Sequence, residues 1–283
     1  MTGDSVVAVA SAVTIDSLVA YPVKGCAGVA VTDAEVTATG LAHDRSFMLV
    51  DADGGFVSQR TRPAMAVIRP RVLGGGARLV LSAPGAPDLA LDVRVDGPRL
   101  AVSVFAWDGK GVDQGDEAAE WCSAVLGERC RLVRVPPEHD RVTSGETPGS
   151  TGFADGHALL VASLSSLDHL NARIIERGAQ PVPMNRFRPN VVVTGWAEPH
   201  TEDRVRRAAL GGVEVGFAKV CVRCTVPMVE QETGRRDGPE PIRTLADYRR
   251  EPDGGVSFGM KAAVLRPGRI AVGDPVHVHA WAT

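Results

Sequence analysis

The chain has 283 residues, 44% of them hydrophobic, and a formal net charge of −3. This length allows two domains or one large β-rich domain, and the composition is typical of a soluble globular protein. Acidic and basic residues are interspersed along the chain, which excludes a general nucleic-acid-binding surface.

The N-terminus carries an apolar stretch, Val6–Val13, that could suggest a signal peptide. No Lys or Arg precedes it, and Asp4 occupies the place of the positive region that such a peptide needs. No other stretch approaches the roughly 18 uninterrupted apolar residues of a membrane span. The sequence therefore predicts a cytoplasmic protein with no membrane partner.

About the first 110 residues read as short strands separated by turns, which is typical of a β-barrel or a β-sandwich. The clearest hairpin joins Ser46–Val50 to Phe56–Gln59 through a turn that contains Asp53 and Gly54, a pair suited to positive φ angles. The predicted strands are Val13–Ala20, Val29–Ala38, Arg45–Val50, Phe56–Thr61, Met65–Val72, Ala77–Leu81, Leu89–Val95 and Leu100–Phe105.

Two segments have the apolar periodicity of a helix. The first is Asp116–Leu126, which ends at Gly127 and places Cys122 on its apolar stripe, where we expect it to be a core residue. The second is Ser166–Arg177, for which Ser165 with Asp168 predicts the N-terminal cap.

The segment Pro136–Gly156 is rich in Pro, Gly and Ser and is predicted to be a linker or a long loop, with a domain boundary between residues 135 and 136. The strands predicted around and after it are Leu132–Val135, Asn190–Thr194, Val213–Val222 and Ile270–His279. The chain as a whole is predicted to be mainly β with a few helices, an α+β protein.

Five cysteines are present, an odd number in a chain too long to need disulfides, so we expect reduced thiols. Cys221 and Cys224 enclose Arg223, and a cation beside a thiol favours the thiolate that binds soft metals. A zinc site and a thiol-redox pair are the alternatives. There is no second Cys-x-x-Cys, and His277 with His279 are more simply alternate residues of a strand.

Three further segments place cations in turns or at strand ends: Lys24 in Tyr21–Cys26, Arg45 after His43, and Arg188 in Asn185–Asn190. Each cation alone could be solvated or paired with a carboxylate. Together they could form a pocket for an anion, because Arg presents two parallel donors to a phosphate.

These segments, in this order, resemble the MOSC-domain family, and within it the amidoxime-reducing proteins with an N-terminal β-barrel domain. The resemblance implies an N-terminal MOSC-associated β-barrel domain in residues 1–135, a MOSC β-barrel domain in residues 136–283, and a cofactor cleft between them. It rests on Tyr21-Pro22-Val23-Lys24-Gly25-Cys26, Gly40-Leu41, Asp44-Arg45, Phe187-Arg188-Pro189-Asn190, Arg223-Cys224, Thr233-Gly234, Phe258-Gly259 and Gly273-Asp274-Pro275-Val276.

The cofactor implied by this resemblance is the molybdenum cofactor, Mo-molybdopterin, with the thiolate of Cys224 as the protein ligand of the metal. Lys24, Arg45 and Arg188 match the family positions that hold the phosphate. The cofactor-binding residues implied are Lys24, Gly25, Arg45, Gly156, His157, Arg188, Asn190, Val222 and Arg223.

The activity implied is that of a molybdenum-dependent oxidoreductase that removes the oxygen atom from N-hydroxylated or N-oxygenated compounds such as amidoximes and hydroxylamines. Electrons would come from a separate donor protein of the ferredoxin, flavoprotein reductase or cytochrome type. The alternative is a molybdenum cofactor carrier without turnover. Pro227–Glu232 departs from the family pattern next to the expected metal, and Gly25 stands where some relatives have Ser.

Overall fold

The computed structural model describes residues 12–283. It is mainly β with a few helices, as the sequence predicted. Residues 6–11 of the N-terminal apolar stretch lie outside the described range. Among residues 12–283, no helix has the length and apolar character needed to cross a bilayer.

Three α-helices and 22 strands form within the described range. The helices are α1 (Asp116–Leu126), α2 (Leu164–Glu176) and α3 (Ile242–Tyr248). The strands are β1 (Thr14–Ala20), β2 (Val29–Val31), β3 (Asp33–Thr37), β4 (Gly40–Leu41), β5 (Phe47–Val50), β6 (Arg69–Leu73), β7 (Arg78–Ser82), β8 (Leu89–Asp92), β9 (Arg99–Val104), β10 (Trp107–Asp113), β11 (Arg131–Arg134), β12 (Val142–Thr143), β13 (Gly149–Ser150), β14 (Leu159–Ser163), β15 (Val191–Thr194), β16 (Val205–Leu210), β17 (Val213–Arg223), β18 (Val229–Glu230), β19 (Arg235–Arg236), β20 (Val256–Arg266), β21 (Gly268–Ala271) and β22 (Val276–Trp281).

The largest sheet has eight strands in the order β2-β1-β15-β14-β20-β17-β16-β22. Only β14 and β15 run parallel; the other neighbours in this sheet are antiparallel. Strands from the N-terminal segment thus complete a sheet built mostly from the second half of the chain. The domain boundary between residues 135 and 136 stays a prediction.

The pairing of β1 with β15 decides which loops meet. Leu18 is the register partner of Val191, and the amide of Val19 donates to the carbonyl of Asn190 at 2.9 Å. Since the strands are antiparallel, the loop after β1 lies beside the loop before β15. The parallel partner β14 begins at the same edge, so the segment before Leu159 arrives there too.

A second group of strands carries α1. The four-stranded sheet β5-β11-β10-β9 and the three-stranded sheet β6-β7-β8 surround it. Ala118 and Cys122 of α1 are buried against Leu49 of β5 and Leu132 of β11. The helix has the bounds that its sequence predicted, and Cys122 is a core residue as expected.

Two predicted strands of the N-terminal segment differ in the structure. Phe56–Thr61 makes only an isolated bridge from Phe56 to Val50, although the chain does reverse at Asp51–Gly55 as predicted. Met65–Val72 begins as a 3-10 turn and becomes a strand only at Arg69. In both places apolar residues such as Val57, Met65 and Ile68 are buried, and burial by itself does not require a strand.

The N-terminus of α2 also differs from the prediction made from the sequence. Its N-cap is Ser163, whose Oγ accepts from the amide of Ser166 at 3.2 Å, so the prediction of Ser165 as the cap is wrong. The buried carboxylate of Glu202 organises this end of the helix. It accepts from the hydroxyls of Ser163 (2.9 Å) and Ser166 (2.8 Å).

Replacing the true cap tests this correction. We expect Ser163→Ala to lower the free energy of unfolding by about 1–2 kcal/mol, because it removes the cap and one donor to Glu202. Ser165→Ala is the matched control, with an expected loss below about 0.5 kcal/mol. Urea denaturation measures both, and equal losses would contradict the assignment.

Burial raises the pKa of the Glu202 carboxyl above its ordinary value of 4.5, and the donated hydrogen bonds only partly oppose this. Ionisation at neutral pH therefore costs folding free energy, and this cost disappears as the pH falls below 4.5. Relative to Glu202→Gln, the wild-type chain should thus gain stability between neutral pH and that value. Chemical denaturation across this pH range measures the difference, with Glu117→Gln on the exposed side of α1 as the control for loss of one charge. A pH-independent difference would refute the assignment.

Candidate functional site

An open pocket of about 890 Å³ lies where the loops after β1 and before β14 and β15 meet the end of β17. Both halves of the chain line it. All ten residues that the resemblance singled out belong to its lining: Lys24, Gly25, Arg45, Gly156, His157, Arg188, Asn190, Val222, Arg223 and Cys224. The structure therefore brings these residues together, while their roles stay predictions.

Cys224 follows directly on the last residue of β17 and is exposed, whereas Cys26, Cys122, Cys130 and Cys221 are buried. The pairing of β17 with β20 shifts register between Val220 and Val222, an irregularity of the kind that re-aims side chains at the end of a strand. Among the cysteines of the chain, Cys224 is thus the one placed to bind a ligand from solvent.

The hydrogen bonds of Arg223 go to Cys221 and Phe187, and its effect on the Cys224 thiol stays a prediction. Its Nη1 donates to Sγ of Cys221 at 2.8 Å, and its Nη2 donates to the carbonyl of Phe187, also at 2.8 Å. Phe187 in turn stacks on Phe258, with ring centroids 3.8 Å apart. Arg223 therefore ties the cysteine segment to the loop before β15.

The ring of Tyr21 lies between two guanidinium groups. Arg45 is 4.4 Å and Arg188 is 4.2 Å from the ring centroid. Arg45 also donates to Asp44 at 2.6 Å and to Oδ1 of Asn190 at 2.9 Å. Cation–π contacts of this kind hold both arginines in place. Asp44 offsets the charge of Arg45, whereas Arg188 has no carboxylate partner among the described residues.

Both of these arginines have positive φ angles, 45° at Arg45 and 57° at Arg188. Such angles are uncommon for residues other than glycine and cost about 1–3 kcal/mol each. Burial lowers the pKa of the Arg188 guanidinium, and the neighbouring charge of Arg45 lowers it further. Backbone strain of this kind is the pattern of a functional site.

Lys24 is buried in the turn after β1 and makes an ion pair with the carboxylate of Asp155, which is half-exposed. Burial lowers the pKa of Lys24, and Asp155 opposes that effect. Gly25 follows with a φ of 81°, and a Cβ there would approach Cε of Met65 to 2.7 Å. A Ser at position 25, as in some relatives, would therefore need the Met65 side chain to move.

His157 is held in one tautomer. Its Nε2 lies 3.1 Å from the carbonyl oxygen of Ser144, which can only accept, so Nε2 carries the proton. Its Nδ1 is then an acceptor, buried and without a partner among the described residues. Burial lowers the pKa of His157 to about 4, and the charges of Lys261 and Lys219 contribute. The ring is therefore neutral at pH 7.

The pocket is strongly positive. Its lining has five cationic side chains, Lys24, Arg45, Arg188, Arg223 and Lys261, against the single carboxylate of Asp155. Asp44, which lies outside the lining, pairs with Arg45. Within a chain of net charge −3, this local excess can bind an anion. Buried cations without enough carboxylates are costly, and a bound anion would offset that cost.

Several lining residues were missed from the sequence. Phe56, Gln59, Asp155 and Lys261 are isolated residues of common types, and no local pattern distinguishes them. Asp155 is the nearest to a detectable signal, because it directly precedes Gly156. Within residues 12–283, no three His, Cys, Asp or Glu side chains cluster so as to hold a metal ion.

Two protein-family models match most of the chain. Residues 12–129 match the MOSC N-terminal beta barrel domain, and residues 148–277 match the MOSC domain. The chain is 33% identical to the mitochondrial amidoxime-reducing component 1 of Mus musculus, over 94% of this chain and 82% of the relative. The human component 1 is 31% identical over the same shares of the two chains.

A third relative differs in size. The molybdenum cofactor sulfurase of Oryza sativa is 28% identical over 88% of this chain, but the match covers only 32% of its own length. The order of the two matched domains and the identity along nearly the whole chain lead to one conclusion: the chain belongs to the MOSC family, with an N-terminal MOSC β-barrel domain ahead of a MOSC domain.

Proposed function

We propose that this protein is a molybdenum-cofactor-dependent oxidoreductase that reduces N-hydroxylated compounds such as amidoximes and hydroxylamines. The observation that carries the proposal is the position of Cys224. The one exposed cysteine among the described residues opens onto the same pocket as the buried cations Lys24 and Arg188. A soft metal ligand and an anion site thus share one cavity.

The residues fit Mo-molybdopterin in charge and donor type. The phosphate would be held by Lys24, Arg45 and Arg188, with Asn190 beside them. The unpartnered Nδ1 of His157 is an acceptor for an N–H group, and Gly25, Gly156, Val222 and Arg223 complete the lining.

The bound molybdenum would supply the two-electron chemistry that removes an oxygen atom from nitrogen. The protein's own part is binding and orientation. The two arginines beside Tyr21 would hold the anionic group, and Cys224 would hold the metal. His157 is neutral, so it adds no positive charge to the five cationic side chains of the lining. Because Ser144 sets its tautomer, its Nδ1 can accept a hydrogen bond.

The relatives named as amidoxime-reducing components support the substrate class, and we extend it to this chain as part of the proposal. Pro227–Glu232 differs from the pattern expected beside the metal, so the preferred compound within that class can differ too. Electrons would come from a separate donor protein.

The test is reduction of an amidoxime and a hydroxylamine by the cofactor-loaded protein with a chemical reductant. A fully loaded protein that is inactive on both would contradict the proposal.

Replacing the thiol tests the metal ligand. We expect Cys224→Ser to lose most bound molybdenum and at least about 100-fold in turnover, because a hydroxyl is a poor ligand for a soft metal. As the side chain is exposed, the free energy of unfolding of the apoprotein should change by less than about 0.5 kcal/mol.

Elemental analysis and steady-state kinetics measure these effects. Cys221→Ser is the matched control and should retain its molybdenum, since Cys221 is buried and bonded to Arg223. A Cys224→Ser protein with full metal content and turnover would remove the basis of the proposal.

Replacing a buried cation tests the anion site. Met has nearly the shape of Lys without its charge, so Lys24→Met should leave the apoprotein as stable or up to about 1 kcal/mol more stable. The same change should weaken cofactor retention at least about tenfold, because one charge-assisted contact to the phosphate is lost.

Thermal denaturation of the apoprotein and pterin content after gel filtration provide the two measurements. Lys110→Met, an exposed position on β10, is the control for loss of one positive charge. Undiminished retention in Lys24→Met would show that Lys24 does not contact the cofactor.

A further inference from the structure

The turn between β9 and β10 contains a residue type that is unusual for its backbone conformation. Val104 pairs with Trp107, so Phe105 and Ala106 form a two-residue hairpin turn. Phe105 has a φ of 56°, although hairpin turns of this length place Gly or Asn where φ is positive. A bulky side chain in this conformation is strained.

The strained backbone at Phe105 does not place its side chain in the core. The side chain of Phe105 is 53% exposed, so it adds little to the core. It contacts Phe56 instead, with ring centroids 5.0 Å apart and planes at 63°. A residue that breaks a local rule without adding stability points to a functional constraint.

Phe56 lines the pocket, and Phe105 packs against it from outside the lining. Nζ of Lys24 lies 4.8 Å from the ring centroid of Phe56 and 5.9 Å from that of Phe105. The guanidinium of Arg60 lies 5.4 Å and 4.9 Å from the same two centroids, and Ser58 of the lining holds its Nε at 3.2 Å. We name Phe56, Arg60 and Phe105 the aromatic rim.

We propose that the aromatic rim is a substrate subsite that binds an aromatic ring attached to the group being reduced, and so sets the specificity of the site. This inference rests on the proposed function. Phe105 offers an exposed ring face and Arg60 a flat cation, and each favours contact with a second aromatic ring. An aliphatic substrate with the same N-hydroxyl group would make neither contact.

The test compares benzamidoxime with acetamidoxime, which share the reacting group and differ in the ring. With the loaded protein and a chemical reductant, KM should be lower for benzamidoxime. Phe105→Gly should reduce this preference about fivefold, mainly through KM, because the ring contact is present before and during reduction. Calorimetric titration of each compound into the loaded protein without reductant gives a second readout of the same preference.

Phe105→Gly also separates function from folding. Gly removes the strain at the turn, so its melting temperature should equal or exceed that of the wild type. Phe105→Asn is a second variant that tolerates positive φ and lacks the ring. Leu73→Ala also truncates a large exposed apolar side chain, but on β6, in a different sheet from β9 and β10; it is the control and should retain the preference.

The outcomes are distinct. An unchanged preference in Phe105→Gly and Phe105→Asn overturns the subsite even if both compounds are reduced. A lower melting temperature with the wild-type preference shows that Phe105 serves only the turn. If neither compound is reduced, the proposed function fails, and the titrations still decide whether the rim binds the ring.

Discussion

The antiparallel pairing of β1 with β15 is the constraint on which the site depends. It joins the N-terminal segment to the largest sheet and sets the loop after Ala20 against the loop before Val191. Shifting this register by one residue would turn every side chain of β1 to the opposite face. It would also move Lys24 away from Arg188, so the geometry of the pocket and the packing of the sheet are inseparable.

The site holds several features that a chain selected only for stability would avoid. Arg45, Phe105 and Arg188 have positive φ angles, and Lys24 with Arg188 is buried in a pocket that has five cations and one carboxylate. Each feature costs free energy in the unliganded protein. An anionic cofactor and an aromatic substrate would offset these costs in different places, the first inside the pocket and the second at its rim.

The position of Arg223 shows how such a site is kept rigid. Its guanidinium bridges Cys221 and the carbonyl of Phe187, and the ring of Phe187 stacks on Phe258. Three segments that are distant in sequence are thereby locked together next to Cys224. This arrangement fixes the backbone beside the exposed thiol, as the proposed metal ligand would require.

Much of the local structure follows from the sequence. The periodicity of Asp116–Leu126 determined helix α1 and the burial of Cys122, because amphipathic spacing and a terminal Gly act locally. The alternation of Val213–Val222 determined most of β17 in the same way. Conversely, β14, β16 and β20 were not predicted. Strands β14 and β20 pair with strands that are far away in sequence, whereas β16 forms a local hairpin with β17 that the sequence analysis missed.

The sequence by itself determined the types of site residue and the family that they resemble, because motifs are a property of neighbouring residues. Only the tertiary structure decided that the ten predicted residues line one pocket, that Arg223 bonds to Cys221, and that Asp155, Lys261 and Phe56 join them. It alone also placed the cap of α2 at Ser163, through the distant carboxylate of Glu202. Contacts of this kind depend on strand register and chain reversal, and no local pattern of residues encodes them.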